Sequence, residues 1–308
     1  MQLNQYYTHY TVPGKKNKVH IVLEHYSASN QKVIGVLSGV ESVCVINSGY
    51  GMTGDIRKYV EDIVGTDKTI ECTALTGQPS DTGALKVFDV AYISDGEKKV
   101  YETMGTDDAR RKAEFAELAE NDPETVAVGE ALFMDNKGMT FKPAGNGLSD
   151  ERPKIGPHMF DDQGDGYLFH LGGTVVQMAD LPAQSDSQLV ALCPTCCVHF
   201  MGDALDVVTD LSSRDRAGLI RYAECLEKIY KVTTKASVFA EGLGATPPAF
   251  YTSSSPVPLG ADAVEAVLQA VREVAEGKTA FDAAAGSREG CRMHFAGNYG
   301  IIYDPEKL

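Results

Sequence analysis

Short β-rich segments open each half of the chain, and an amphipathic helix follows each group of segments. In the first half the segments are KVHIVLEHY, KVIGVLSG and SVCVINSGYG, and the helix pattern lies in TGDIRKYVEDIVG. The second half repeats this order with DGYLFHLGGTVVQMADLP, SQLVALCPTCCVHFMGDAL and SSRDRAGLIRYAECLEKIY. Each sheet must bury a face and each helix a stripe. The pattern therefore predicts an α/β fold, a four-layer αββα sandwich whose two sheets face each other with helices outside.

Periodicity and capping residues predict where the helices lie. The first helix places three apolar residues on one face, namely Ile56, Val60 and Ile63. Two later helices are predicted to begin with capping boxes, formed by Ser212 with Asp215 and by Asp262 with Glu265. Between these two helices, the β-rich segment KASVFAEG, residues 235–242, is predicted to form a strand.

An irregular region interrupts this order at residues 95–165. It contains an acidic helix pattern, DDARRKAEFAELAEND, a predicted hairpin in EALFMDNKGMTFKPA, and a stretch rich in Gly, Pro and Asp. Long irregular segments inside a compact domain are commonly functional, as active-site lids or binding loops. We therefore expect this region to be an inserted lid.

Composition excludes several kinds of partner. The chain has 28 Lys and Arg against 43 Asp and Glu, a formal net charge of -15 at pH 7, and phosphate binding depends on basic residues that release counterions. Nucleic acid is therefore not an expected partner. No apolar run approaches the roughly 18 residues of a membrane span, and the N-terminus lacks the order of a signal peptide. We expect a cytoplasmic protein with no membrane partner and with its seven cysteines reduced.

Four segments together resemble the metallo-β-lactamase-fold hydrolases. VCVINSGYG is similar to that family's Ile-Asp-Thr-Gly strand end, and LGGTVVQMADLPAQSDSQLVAL to its Leu-Gly-Gly strand and the histidine motif that follows. HFMGDAL is similar to the family's Phe-Thr-Gly-Asp-Ala-Leu, and AEGLGATPP takes the place of a late Gly-His-Gly turn. The resemblance spans about residues 30 to 303. It implies one metallo-β-lactamase-like domain over residues 1–308, with the inserted lid at 95–165.

The resemblance also places the loop TGQPSDTGAL where the family binds two zinc ions through a histidine-rich motif. At the corresponding ligand positions this chain carries Thr76, Gln78, Ser80, Asp81, Gln184 and Leu243, with Asn47 in place of a supporting aspartate. Asp203 alone keeps the identity of a ligand. Zinc needs His, Cys or carboxylate ligands. The resemblance therefore implies a degenerate zinc site that holds no metal, and no cofactor is expected.

The loss of zinc limits the chemistry that remains. Zinc lowers the pKa of its bound water from 15.7 to about 7, so its loss forfeits roughly 9 pKa units, or about 12 kcal/mol. Asp81 and Asp203 are expected to repel each other without a cation, which raises one pKa towards neutrality. We expect metal-independent acid–base chemistry on a small-molecule substrate, of isomerase or lyase type more readily than hydrolysis. Either aspartate is the predicted base, with Gln78 and Gln184 as oxyanion donors.

Other interpretations of these residues stay open. The predicted substrate-binding residues are Thr76, Ser80, Asn47 and Leu243, with His158 carried over the cleft by the lid. A scaffold without its metal could instead be a non-catalytic ligand-binding pseudoenzyme, or a hydrolase with a rearranged zinc site. The segment CPTCCVHF offers a third chemistry, in which Cys193, Cys196 and Cys197 act with His199 in redox, metal or nucleophilic roles. A homodimer is also left open.

Overall fold

The structure is a computed structural model that describes most of the chain. Described are residues 6–13, 19–25, 31–51, 56–105, 139–144, 168–172, 175–241, 247–280, 282–286 and 288–308, with single helical positions between 109 and 120. Within these ranges, none of the helices combines the length and the apolar character that a bilayer crossing requires.

The first sheet contains seven strands, which lie in it in sequence order. Strands β1 to β4 are antiparallel neighbours, namely Tyr7–Thr11, Val19–His25, Gln31–Ser38 and Ser42–Ile46. Strands β5 to β7 continue the sheet parallel to β4, namely Thr69–Thr73, Val90–Ile93 and Phe141–Pro143. Because β3 runs against β4, the start of β3 lies at the edge where β4, β5 and β6 end.

The second sheet has the strand order β13-β11-β10-β9-β8. In chain order, β8 to β11 and β13 are Leu168–His170, Val175–Asp180, Leu189–Cys193, Val198–Gly202 and Ala249–Thr252. The parallel strands β11 and β13 end at the edge where β9 leads into β10. A smaller third sheet has the order β12-β16-β15-β14, formed by Val208–Asp210, Tyr299–Tyr303, Arg292–Ala296 and Ala283–Ala284.

Helices cover the outer faces of the two large sheets. Helix α1, Ile56–Val64, buries Ile56 and Val60 against the first sheet. On the other side, α4, Arg216–Glu241, and α5, Ala261–Ala275, bury their apolar faces against the second and third sheets. Two short helices, α2 at Pro79–Thr82 and α3 at Asp95–Val100, follow strands of the first sheet.

A separate apolar core lies between the two large sheets. It joins side chains such as Ile21 and Leu37 from the first sheet to Val176, Ala191 and Phe200 from the second. Three cores thus separate four layers, in the order helix, sheet, sheet and helix. The predicted αββα sandwich is confirmed.

The strand predicted for residues 235–242 is wrong. Helix α4 continues without a break to Glu241, so the β-rich composition of this segment does not decide its structure. Local propensity is weak, and a helix that has begun extends more readily than a new strand forms. The side chains of Leu219, Tyr222 and Leu226 on the same helix are fully buried, as the periodicity predicts.

Both predicted capping boxes are also wrong in detail. Asp215 caps α4, where its carboxylate accepts a hydrogen bond from Gly218 N at 2.8 Å. Ser212 instead donates its hydroxyl to Asp210 at 2.7 Å. At the start of α5, Gly260 precedes the helix with no side-chain cap, and Asp262 accepts a hydrogen bond from the Tyr299 hydroxyl.

Part of the predicted insertion belongs to the first sheet. Strand β7 lies within residues 95–165 and pairs in parallel with β6, and α3 lies there too. The remainder of the predicted hairpin and the Gly/Pro/Asp-rich stretch lie outside the described residues. The lid therefore stays a prediction.

Gly35 tests how tightly the two sheets pack. A Cβ atom on Gly35 would lie 2.4 Å from Phe200 Cε1, and this ring is buried and stacked on Tyr251. Because the ring has nowhere to move, we expect Gly35→Ala to lower the free energy of unfolding by about 1–3 kcal/mol. Urea denaturation measures this, with Gly286→Ala as control because no atom lies within 4 Å of its added Cβ. Equal stability of the two variants would contradict the packing argument.

Candidate active site

Loops from both sheets meet at one end of the sandwich. The start of β3 is joined to the loop after β13 by a hydrogen bond from Val33 N to Ser253 O of 2.8 Å. The loop after β5 is joined to the start of β10 by a bond from Leu189 N to Leu75 O of 2.9 Å. The carboxyl ends of parallel strands and the loops after them therefore lie together at this end, the usual place of a ligand site in open α/β sheets.

A lysine ammonium lies between the two predicted catalytic carboxylates. Lys32 Nζ, from the start of β3, is 4.0 Å from Asp81 Oδ1 and 3.7 Å from Asp203 Oδ2. The side chains of Lys32, Asp81 and Asp203 are 12%, 1% and 30% exposed. The expectation that no cation lies between the two aspartates is therefore wrong, whereas the charge of Asp203 does raise the pKa of Asp81 as expected. Lys32 was not identified from the sequence.

Helix α2 and the loop before it hold Asp81 in a buried position. The main-chain oxygen of Asp81 accepts hydrogen bonds from Ser48 N at 2.8 Å and from Ser48 Oγ at 3.1 Å. Its carboxylate Oδ2 accepts one from the Thr76 hydroxyl at 2.9 Å. The other oxygen, Oδ1, is buried and accepts no hydrogen bond from the described residues. It is the oxygen that faces the ammonium of Lys32.

Burial raises the pKa of Asp81 from its ordinary value of 3.8 to about 6. The charge of Lys32 and the hydrogen bond from Thr76 lower this pKa, whereas the negative charges of Asp203 and Glu97 raise it. A carboxyl group with a pKa near neutrality can both hold and release a proton at the pH of a cell. Such a combination of burial and specific charge partners is typical of functional sites.

Asp203 is the carboxylate of this group that reaches solvent. It follows β11 directly, and its Oδ1 accepts a hydrogen bond from the Ser253 hydroxyl. Asp206 lies nearby and accepts bonds from Val207 N at 2.7 Å and from the Ser254 hydroxyl at 3.3 Å. Burial raises the pKa of Asp206, as does the charge of Asp203, and the charge of Lys32 lowers it. Asp206 is thus a third carboxylate close enough to sense both.

Glu97, on α3, connects two loops at the site. Its Oε2 accepts a hydrogen bond from Gly77 N at 2.7 Å, and its Oε1 accepts one from the hydroxyl of Ser185. A Cβ on Gly77 would lie 2.2 Å from Glu97 O, so this close approach requires glycine. The loop that carries Asp81 and the loop between β9 and β10 are therefore fixed to each other through one buried carboxylate.

Glu24, on β2, is a second buried acid behind the site. It lies opposite Lys32 in the β2–β3 register and is fully buried. Its carboxylate accepts hydrogen bonds from Tyr50 N at 2.7 Å and from Gly51 N at 3.2 Å. These bonds hold the glycine-rich segment after β4, where Gly49 has a φ of 71°.

The other predicted residues take different positions. Asn47 has a φ of 63°, and its Oδ1 accepts a hydrogen bond from Leu75 N at 2.9 Å, so its amide supports the loop. Ser80 is buried on α2 beside Asp81, and Gln78 is partly buried before α2. Thr76 contacts Asp81 as described above.

Gln184 is exposed, and the contacts described for it are made by its main chain. Its N–H donates to Gln188 Oε1 at 2.9 Å, and its carbonyl accepts from Arg214 Nη2 at 2.7 Å. The structure therefore gives Gln184 no described contact with Asp81 or Asp203. Leu243 and His158 lie outside the described residues.

A sequence signal existed for the acids and the lysine that were missed. Lys32 and Glu24 are the charged residues within the β-rich segments KVIGVLS and IVLEH. A charge in a strand that the fold buries needs a partner. These two charges are therefore a sequence signal for a buried polar site, beyond the strand pattern itself. Glu97 offered no comparable signal, since the helical segment around it is rich in charged residues.

The residues of this site do not fit zinc. Within the described ranges, no group of three or more His, Cys, Asp or Glu is arranged to hold a metal ion. One oxygen of Asp81 is used by Thr76, one oxygen of Asp203 by Ser253, and the remaining oxygens face the ammonium of Lys32. An ammonium group cannot be a ligand and repels a dication at this range.

The cysteine cluster is part of the protein interior. Cys193 and Cys196 are buried in the core between the sheets, and a hydrogen bond with Cys196 and burial together raise the pKa of Cys193 well above its ordinary value. The ring of His199 is buried against Phe250, with ring centroids 5.1 Å apart. A reactive cysteine needs a stabilised thiolate, which this environment opposes.

Comparison with known proteins identifies likenesses in fold. Neither a family model nor a curated protein sequence matches the chain. The chain is similar to a metallo-β-lactamase from Pontibacter korlensis, with 11% identity and a TM-score of 0.48 over 84% of this chain and 95% of that one. It is similar to metallo-β-lactamase IND-7, with 11% identity and a TM-score of 0.48 over 86% of this chain and 96% of that one. At 11% identity, the similarity to these two proteins concerns the fold and not the activity.

We expect Asp81→Asn to raise the free energy of unfolding at about pH 8. The pKa of Asp81 is about 6 in the folded chain and about 3.9 for an unfolded aspartate. Protonated Asp81 therefore stabilises the fold fully below about pH 4, and this stability is lost as the pH rises through about 6. Two pKa units correspond to about 3 kcal/mol, which is the upper size of the gain.

Urea unfolding at about pH 4, 6 and 8 measures this effect. The gain should shrink as the pH falls and should vanish near pH 4. The control is Asp62→Asn, since the side chain of Asp62 is 67% exposed on α1. A variant at position 81 that is less stable than the parent at about pH 8 would show that the Asp81 charge stabilises the fold.

Proposed function

We propose that the chain is a metal-independent enzyme that performs acid–base chemistry on a small organic molecule. The reaction is of isomerase or lyase type and begins with removal of a proton next to a carbonyl group. The group Lys32, Asp81 and Asp203 carries the reaction. The observation that supports this proposal is the position of one ammonium between a buried and an exposed carboxylate, at the end of the sandwich where loops of both sheets meet.

Asp203 is the group that takes the proton from the substrate. Its side chain is the most exposed of the three, and Ser253 orients it through Oδ1. Its Oδ2 forms an ion pair with Lys32 at 3.7 Å. A carboxylate that a hydrogen bond and an ion pair hold in place, and that solvent still reaches, is a suitable general base.

Lys32 supplies the positive charge that the reaction needs. Removal of a proton next to a carbonyl leaves negative charge on the carbonyl oxygen, and a fixed cation in a partly buried site stabilises this oxyanion. The ammonium is held by carboxylates at 3.7 and 4.0 Å, so it needs little reorientation during the reaction. Charge fixed in advance is the main source of electrostatic catalysis.

Asp81 is the second proton-binding group of the site, and its pKa responds to the charge of Asp203. Its pKa depends in part on the charge of Asp203, so proton uptake by Asp203 lowers the pKa of Asp81. In an isomerisation, the proton on Asp203 returns to another atom of the substrate. In an elimination, Asp203 removes the proton, a double bond forms, and the leaving group departs with the electron pair of its bond. The proton then passes from Asp203 to the leaving group or to solvent. Neither route consumes another reactant.

A ligand screen followed by proton exchange tests the proposal. Small carboxylic acids, phenols and thioesters are screened by thermal shift in EDTA, because a ligand at a hundred times its Kd adds about 2.7 kcal/mol to stability. Compounds that raise the Tm are then incubated with the protein in D2O and followed by proton NMR. We expect loss of a C–H signal next to a carbonyl, or conversion to a product, at a rate unchanged by EDTA.

Asp203→Asn should reduce this exchange by roughly 100-fold or more, since general acid–base catalysis commonly contributes 10²–10⁴. The fold should persist, as judged by circular dichroism, and Asp62→Asn should behave like the parent. Compounds that bind but are never exchanged or converted would instead identify a non-catalytic binding protein. Activity that EDTA removes and zinc restores would identify a rearranged zinc site.

A further inference from the structure

Lys32 occupies a position that two sheets define together. It precedes Val33, whose N–H donates to Ser253 O in the loop after β13. This bond holds the first residues of β3 against the second sheet. The ammonium of Lys32 thereby lies between Asp81, in the loops of the first sheet, and Asp203, in the loops of the second. Lys32 is therefore placed by the backbone of both sheets and not by a flexible loop.

Two carboxylates lie within ion-pair distance of this ammonium, and a third is near enough to sense its charge. Asp81 and Asp203 lie within 4.0 Å of Nζ, and the charge of Lys32 acts on Asp206 as well. Oδ1 of Asp81 is buried and accepts no hydrogen bond from the described residues. An oxygen of this kind needs a cation close by, and the ammonium of Lys32 faces it.

We infer that Lys32 is the resident cation of the site, in the place where these carboxylates would otherwise bind a divalent metal ion. The chain supplies its own positive charge, and this charge keeps divalent ions out. The inference goes beyond the proposed function, because it concerns which cation the carboxylates hold and does not depend on turnover.

The inference predicts that removal of the ammonium opens a metal site. Lys32→Ala would leave the oxygens of Asp81 and Asp203 facing the volume of the lost side chain, with Asp206 nearby. Carboxylate oxygens are the ligands that hard divalent cations such as Mn²⁺ prefer. The parent protein should show no stoichiometric Mn²⁺ binding at this site, because the ammonium repels the ion.

Calorimetric titration of the apo proteins with MnCl2 tests this. We expect Lys32→Ala to bind one Mn²⁺ per chain at least 100-fold more tightly than the parent, and Lys32→Ala/Asp203→Asn to lose that binding. Lys58→Ala is the matched control, because Lys58 is an exposed lysine paired with Asp62 at 3.4 Å. It should behave like the parent protein. Circular dichroism in EDTA reports whether each variant is folded.

Several results would overturn the inference. Stoichiometric Mn²⁺ binding by the parent that Asp203→Asn abolishes would show that the ion and the ammonium coexist. A folded Lys32→Ala variant that binds Mn²⁺ no more tightly than the parent would show that the carboxylates do not converge on the ammonium. If Lys32→Ala unfolds in EDTA, recovery of its fold with Mn²⁺ supports the inference. The inference is overturned if Mn²⁺ does not restore the fold of Lys32→Ala and a folded Lys32→Gln variant binds Mn²⁺ no more tightly than the parent.

Discussion

Charge balance around one ammonium governs the arrangement at the end of the sandwich. Asp81 is buried, and the charge of Asp203 raises its pKa, whereas Asp206 senses the charge of Asp203. Among the described residues, Lys32 is the cation within ion-pair distance of Asp81 and Asp203. A buried ion without a partner costs several kcal/mol. The strand that carries Lys32 and the loops that carry the acids must therefore stay in register. Neutral donors from Thr76 and the Ser253 loop satisfy the remaining oxygens.

Chemically identical side chains take different roles here because their surroundings differ. Asp81 is enclosed by α2 and the Ser48 loop, and burial raises its pKa. Asp203 stands at a strand end where solvent reaches it. Glu97 uses both oxygens on neighbouring loops and acts as a fixed link between them. Divergent environments of this kind give carboxyl groups different pKa values without any change in residue type.

The fold could be predicted from the sequence because its signal is local and repeated. Alternating strands and the apolar stripe of Leu219, Tyr222 and Leu226 report burial directly. The strand predicted at residues 235–242 failed because a helix already begun extends more easily than a new strand forms. At the site, the segments TGQPSDTGAL and HFMGDAL pointed to Asp81 and Asp203 respectively, but the position of Lys32 depends on contacts between distant segments. The residue pattern of β3 does not reveal that Lys32 will contact Asp203, which lies about 170 residues later in the chain.

The hydrogen bond between Val33 and Ser253 joins segments that are synthesised at different times, which affects how the protein folds during synthesis. Lys32 emerges from the ribosome with the first sheet, whereas Asp203 belongs to a strand made much later. During that interval, the N-terminal half contains Lys32 and Asp81 but not Asp203, the second carboxylate that contacts the lysine. Contacts between such distant segments form late and slowly. Formation of the site therefore requires synthesis of the chain at least as far as Ser253, and neither half made alone could contain it.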